Sequence, residues 1–83
     1  MNEFVLSVIK KLTKSQRAAI LSAQWEDDRG GYKSAGFYLY ADKRVLYNLS
    51  GAGIVRDYLN NYQRLTPFGE KVHATLLEAE KDA

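Results

Sequence analysis

An α+β domain of about four helices and a three-stranded antiparallel sheet, one part of it a β-hairpin, is predicted by three observations in this sequence. Phe4, Val5, Val8, Ile9 and Leu12 recur at spacings of three and four, the period of a helix with one greasy face. Ser34 to Tyr40 alternates Phe37 and Leu39 with Tyr38 and Tyr40, the period of a strand. Leu49 to Val72, LSGAGIVRDYLNNYQRLTPFGEKV, spells a helix end, a hairpin and a helix start in unbroken succession. No linker, repeat or low-complexity run divides residues 1–83, so a single domain is expected.

Taken in order, the first helix spans Asn2 to Lys11. Thr13 and Gln16 form a T-x-x-Q capping box that starts a second helix, which carries Ile20, Leu21 and Ala23 toward the core and stops near Trp25. After the Gly30-Gly31 break comes the strand Ser34 to Tyr40, expected to pair with the hairpin as its third strand. Asp42 caps a helix from Lys43 to Ser50 whose apolar stripe is Val45, Leu46 and Leu49. The opposite face stacks Lys43 with Tyr47 and Arg44 with Asn48, each pair one turn apart. Gly51 and Gly53 end that helix, because glycine takes the left-handed conformation of a helix terminus without steric cost.

The hairpin joins the runs Ile54 to Tyr58 and Tyr62 to Thr66. A two-residue Asn60-Asn61 turn sets Leu59 opposite Tyr62 and Arg56 opposite Leu65, mixing charge with apolar surface. A three-residue turn from Leu59 to Asn61 is cleaner: Tyr58 meets Tyr62, Arg56 meets Arg64, Val55 meets Leu65, and Asn61 takes the left-handed position. Directly opposed arginines repel unless an anion or carboxylate lies between them, so this register points to phosphate, with Asp57 or a tail carboxylate as the alternative. Thr66 then caps a last helix, Pro67 occupies its first position, where a missing amide hydrogen costs nothing, and the helix runs to about Glu80.

The absence of cysteine removes disulfides, thiolate chemistry and cysteine-based zinc sites, and it suits a reducing cytoplasm. FVLSVI is too short for an export signal or a membrane span and follows Glu3 rather than a basic lead, so a cytoplasmic protein is expected. The net charge is +2, but it is uneven. Arg29, Lys33, Lys43, Arg44, Arg56 and Arg64 face only Asp42 and Asp57 in the middle of the chain, while Glu26, Asp27, Asp28, Glu78, Glu80 and Asp82 lie outside it. Such a two-signed surface offers its positive side to phosphate. All six tyrosines, at 32, 38, 40, 47, 58 and 62, fall in the same basic segment. Tyrosine mixed with arginine contacts sugar-phosphate edges, stacks single-stranded bases or forms a protein-binding hot spot. Tyr32 and Tyr40 read as half-buried strand residues; Tyr47, Tyr58 and Tyr62 read as contacts.

Enzyme chemistry finds little to hold. His73, the single histidine, sits beside Val72 and Leu76 without a partner at triad or metal-site spacing, and reads as a structural or surface residue. Glu26, Asp27 and Asp28 are consecutive and cannot converge on one cation without a glycine-shaped loop, so they read as a solvated loop. The glycines of GAG at 51–53 lack a preceding strand and a third glycine, so helix termination explains them better than phosphate cradling. No cofactor is implied.

LSGAGIV followed by RLTPFGEKV resembles the leucine-x-x-x-glycine-[leucine/isoleucine]-valine, wing and leucine-threonine-proline-x-glycine succession of bacterial winged-helix transcription regulators. The likeness covers about the C-terminal third, and LTKSQRAAIL, from Leu12 to Leu21, resembles their first core helix. One departure is present: WEDDRGGYKSAGFYLYA, from Trp25 to Ala41, reads as loop and strand where the family places a helix and a turn. The resemblance implies a winged-helix fold and a small bacterial or phage regulator that binds double-stranded DNA. Lys43, Arg44, Tyr47 and Asn48 would face the major groove, and Arg56, Tyr58, Tyr62 and Arg64 the backbone or minor groove. Arg44 and Asn48 have the chemistry for guanine and adenine edges. A homodimer through the N- and C-terminal helices is expected from Phe4, Val5, Val8, Ile9, Leu76 and Leu77. The alternative, favoured by the departure, is a winged-helix protein-protein adaptor or inhibitor of phage or plasmid type, with the acidic run and the tyrosine-rich sheet as its binding face.

Overall fold

The starts of α2, α3 and α4 and the end of α3 are each made by hydrogen bonds of the residues that the sequence points to in the computed structural model, which describes residues 3–27 and 34–81. The element order is α1 (Glu3–Lys11), α2 (Lys14–Leu21), β1 (Gln24–Glu26), β2 (Gly36–Tyr40), α3 (Lys43–Gly51), β3 (Tyr62–Arg64) and α4 (Pro67–Lys81). The fold is α+β, with four helices and a three-stranded antiparallel sheet in the order β1-β2-β3 among the described residues. This order of elements is compatible with a winged helix. Expectations that fall on Asn2, Asp28, Arg29, Gly30, Gly31, Tyr32, Lys33 and Asp82 lie outside the described residues.

The capping box forms in full. Thr13 Oγ1 accepts from the Gln16 amide at 3.1 Å while Gln16 Oε1 accepts from the Thr13 amide at 3.0 Å. Asp42 caps α3 by accepting from the Val45 amide at 2.9 Å. At the other end of α3, the Ile54 amide reaches back to the Leu49 carbonyl at 2.9 Å and the Gly53 amide to the Ser50 carbonyl at 3.0 Å. This is a Schellman closure, and Gly53 supplies its left-handed residue with φ +78°.

The two halves of the LSGAGIV…RLTPFGEKV pattern are one structural knot. Thr66 donates its hydroxyl to the Gly53 carbonyl and its amide to the Ile54 carbonyl, then accepts from the Gly69 amide at 2.9 Å as the cap of α4. Gly69 is required by this approach, because a Cβ there would overlap the Ile54 carbonyl oxygen. Helix α4 is thereby anchored on the exit of α3. Every element except β1 and β3 contributes to the core, through Val5, Ile20, Leu39, Leu46, Leu49, Val72 and Leu76, with Ile54, Val55 and Leu65 added by the segments between.

The sheet differs in composition from the expected one. Helix α2 ends at Leu21 rather than near Trp25, and Gln24–Glu26 forms strand β1, with Trp25 opposite Phe37. Glu26 therefore belongs to a strand and not to a solvated loop. Strand β3 pairs with β2, setting Arg64 opposite Tyr38 and Tyr62 opposite Tyr40. Of the expected hairpin ladder only Val55 opposite Leu65 is present, as an isolated bridge. Arg56 does not pair with Arg64, nor Tyr58 with Tyr62, and Asn61 is not left-handed, since no described residue other than glycine has positive φ.

The physical reason is local competition. Asp57 Oδ1 accepts from the Leu59 amide at 3.1 Å, and Asn60 Oδ1 accepts from the Tyr62 amide at 2.9 Å. These side chains take backbone donors that a ladder would otherwise use. Asn61 instead clasps the end of β2: its side-chain amide donates to the Ala41 carbonyl at 2.9 Å and its backbone carbonyl accepts from the Ala41 amide at 3.1 Å.

Candidate nucleic-acid interface

Helix α3 has a buried side and a charged side set by its own sequence. Leu46 and Leu49 have no exposed surface, whereas Lys43, Arg44, Tyr47 and Asn48 all lie in solvent, as the spacing predicts. Nine residues at 1.5 Å each give a rod of roughly 13 Å, about two and a half turns, so Lys43, Arg44, Tyr47 and Asn48 cover most of its exposed length. Arg44 and Asn48 supply a bidentate donor and an amide, the two groups that match guanine and adenine edges.

The remaining expected contacts divide between two other places. Arg56 and Arg64, both exposed, line one open groove together with Gln63, Leu65, Thr66, Pro67 and Glu70 at the start of α4. The arginines thus share a surface without facing each other across a ladder. Tyr58 is half-buried and packs edge-on against Tyr47, with ring centres 5.0 Å apart and planes at 76°. It belongs with α3. Tyr62 is half-buried between Tyr38, stacked at 5.1 Å and 9°, and Tyr40, tilted at 4.4 Å and 43°. It belongs with the sheet.

Tyr40 corrects a further expectation: it is 73% exposed rather than half-buried, the most open of the described tyrosines. Its position at the end of β2, with Leu39 2% exposed on the inner face, turns its ring outward. The period-two alternation carries this signal, since it sets Tyr40 on the face opposite Leu39.

Behind the sheet, Trp25, Phe37 and His73 form an aromatic run. Trp25 meets Phe37 edge-on at 5.3 Å, and Phe37 lies 4.7 Å from the His73 ring. Trp25 Nε1 donates to Asp27 Oδ1 at 2.8 Å. His73 is 4% exposed, which makes it a buried helix residue. Its burial lowers its pKa from the ordinary 6.5, with the nearby Glu70 carboxylate acting in the opposite direction. Among the described residues no cluster of His, Cys, Asp and Glu is placed to hold a metal ion, and no buried side-chain nitrogen or oxygen is left without a hydrogen bond. No described helix is long and apolar enough to cross a membrane.

The chain matches no protein-family model, no curated protein and no solved structure.

Proposed function

We propose that this protein is a small winged-helix DNA-binding protein of the cytoplasm, a transcription regulator rather than an enzyme, whose α3 enters the major groove. The observation that carries the reading is the division of α3: Leu46 and Leu49 fix the helix to the core, and Lys43, Arg44, Tyr47 and Asn48 are left together in solvent. The groove containing Arg56 and Arg64 supplies two further guanidiniums for phosphate, where they position the protein without reading sequence. Arg44 and Asn48 are the base readers. The test is Arg44→Ala on a selected best site and on random duplex. The expected cost is roughly 1 to 3 kcal/mol on the best site and little on random DNA. Equal losses on both would make Arg44 a phosphate contact.

A second reading, a protein-binding adaptor or inhibitor of the same fold, is favoured by the large apolar side chains in solvent. Leu59 is 78% exposed and Trp25 54%, and Glu26 lies beside Trp25 in β1. Interfaces with proteins use such anchors, whereas a duplex groove offers them little. The two readings separate on whether the protein binds duplex DNA at low salt.

A homodimer forms part of the proposal. Phe4 is 65% exposed although it packs on Phe68 at 5.3 Å, and Leu77 is 38% exposed. Val5 and Leu76, expected on the same surface, are instead 2% and 5% exposed and belong to the core. The dimer surface is therefore narrower than the sequence indicates, and it rests on Phe4 and Leu77.

A further inference from the structure

The outward face of the sheet has an order that the α3 reading leaves unused. Across the three strands, Gln24, Tyr38 and Arg64 stand in one row as register partners, and Tyr40 faces Tyr62 in the next. On the opposite parity Leu39, Gln63 and Leu65 are buried and Phe37 is half-buried, with Trp25 exposed only at the β1 edge, so the two rows share the solvent side. Tyr62 lies between the rings of Tyr38 and Tyr40. Tyr40, at the end of this series and 73% exposed, presents an aromatic plane to solvent. A shallow groove runs beside it, with Gln24, Tyr38, Tyr40 and Tyr62 in its walls and the Glu26 carboxylate among them at the β1 edge.

The face carries both signs, with Glu26 opposite Gly36 at the β1 edge and Arg64 on β3 at the other. Arg64 stands beside Tyr38 on this face and also lines the groove it shares with Arg56, so the aromatic surface continues into the basic one. Gly36 makes room for this, because a Cβ there would collide with the Arg64 side chain. The Arg64 guanidinium lies over Gly36, one step along β2 from the Gln24 and Tyr38 row. A face with an amide, aromatic rings and a guanidinium has the three groups that address a nucleotide: hydrogen bonding to a base edge, stacking on its plane and neutralisation of its phosphate. A base inside a duplex is already stacked on both faces and cannot reach a flat tyrosine surface. An unpaired base can.

We propose that this sheet face is a second nucleic-acid site, specific for an unpaired base of a single strand. Tyr40 stacks on the base, Arg64 and Arg56 hold the adjoining phosphates, and the Gln24 amide reaches the base edge. The site does not depend on α3 reading a duplex, since none of the α3 side chains takes part.

The test uses the full chain and a fluorescent decathymidylate at low salt, with an abasic oligonucleotide of equal length and charge as the control. Wild-type protein is expected to bind decathymidylate well above the abasic strand, with quenching of tyrosine fluorescence. Tyr40→Ala is expected to weaken decathymidylate binding roughly 5- to 150-fold, the range for losing one stacked base, while Tyr40→Phe keeps it. Arg64→Gln is expected to lower the slope of log K against log salt by about 0.7, the value for one phosphate of a single strand. Circular dichroism of the variants checks that the fold is retained. Equal binding of the abasic strand, equal affinity of Tyr40→Ala and Tyr40→Phe, or no binding of decathymidylate would each overturn the proposal, the last leaving the face to a protein partner. Duplex binding measured in parallel keeps the two readings apart: Tyr40→Ala acts on the single strand, Arg44→Ala on the duplex.

Discussion

At the scale of single residues, the division of α3 makes opposite demands on neighbouring positions. Leu46 and Leu49 fill the core with no exposed surface, so Leu46→Ala or Leu49→Ala is expected to cost about 2 to 4 kcal/mol through the cavity left behind. Lys43→Ala and Asn48→Ala, which remove solvated side chains, are expected to stay within about 0.5 kcal/mol of the parent. Denaturant melts of the four variants check this; the reverse order would mean that the helix is turned the wrong way. His73 makes a second residue-scale prediction. Its pKa is lowered in the folded protein, mainly by burial, so protons bind the unfolded chain more readily. Its contribution to stability is therefore full above the ordinary value of 6.5, declines as pH falls below it, and levels off once the folded form is protonated as well. Denaturation midpoints for the parent and for His73→Gln, measured through that window, should show this component of the pH slope in the parent only. A slope of the opposite sign would place a stabilising carboxylate on the ring.

At the scale of elements, the basic groove is the part of the proposed interface with the simplest expectation. Changing Arg56 and Arg64 together to Gln should weaken duplex binding across sequences and flatten log K against log salt by about two units, because each guanidinium neutralises one phosphate. An unchanged slope would remove both residues from the interface. How these arginines come together also marks what the sequence can and cannot tell. Four helix boundaries are legible because each is written in the side chain that makes it, namely Thr13 and Gln16, Asp42, Gly53, and Thr66 with Pro67, whereas the end of α2 at Leu21 carries no such residue and is not. The four exposed residues of α3 followed from helical spacing alone. Strand pairing was less legible, because register depends on which edges meet in space. Val55 opposite Leu65 was recoverable from burial, but the ladder beyond it gave way to the Asp57 and Asn60 side-chain bonds. Strand β1 was hidden by its length, since three residues, Gln24 to Glu26, carry too little alternation to stand out beside an acidic run. Without β1 in register, the row of Gln24, Tyr38 and Arg64 and the 73% exposure of Tyr40 are not legible in the sequence.

At the scale of the whole molecule, a chain of 83 residues buries a modest core and leaves large apolar side chains in solvent. The proposed closed dimer covers two of them, Phe4 and Leu77, and sedimentation at tens of micromolar, an order of magnitude suited to a modest interface, should find it. A parent protein that stays monomeric at that concentration would contradict the dimer. Pairing would also double the number of α3 helices and arginine grooves offered to one stretch of DNA. The basic side chains of α3 and those of the arginine groove act together only if duplex DNA is their partner. The most direct test is the affinity of the unaltered protein for a random-sequence duplex at several salt concentrations. The DNA-binding account predicts measurable binding at low salt and a straight decline of log K with log salt, at least two counterions steep for the two groove arginines. No binding at low salt would contradict it and leave the adaptor reading in its place.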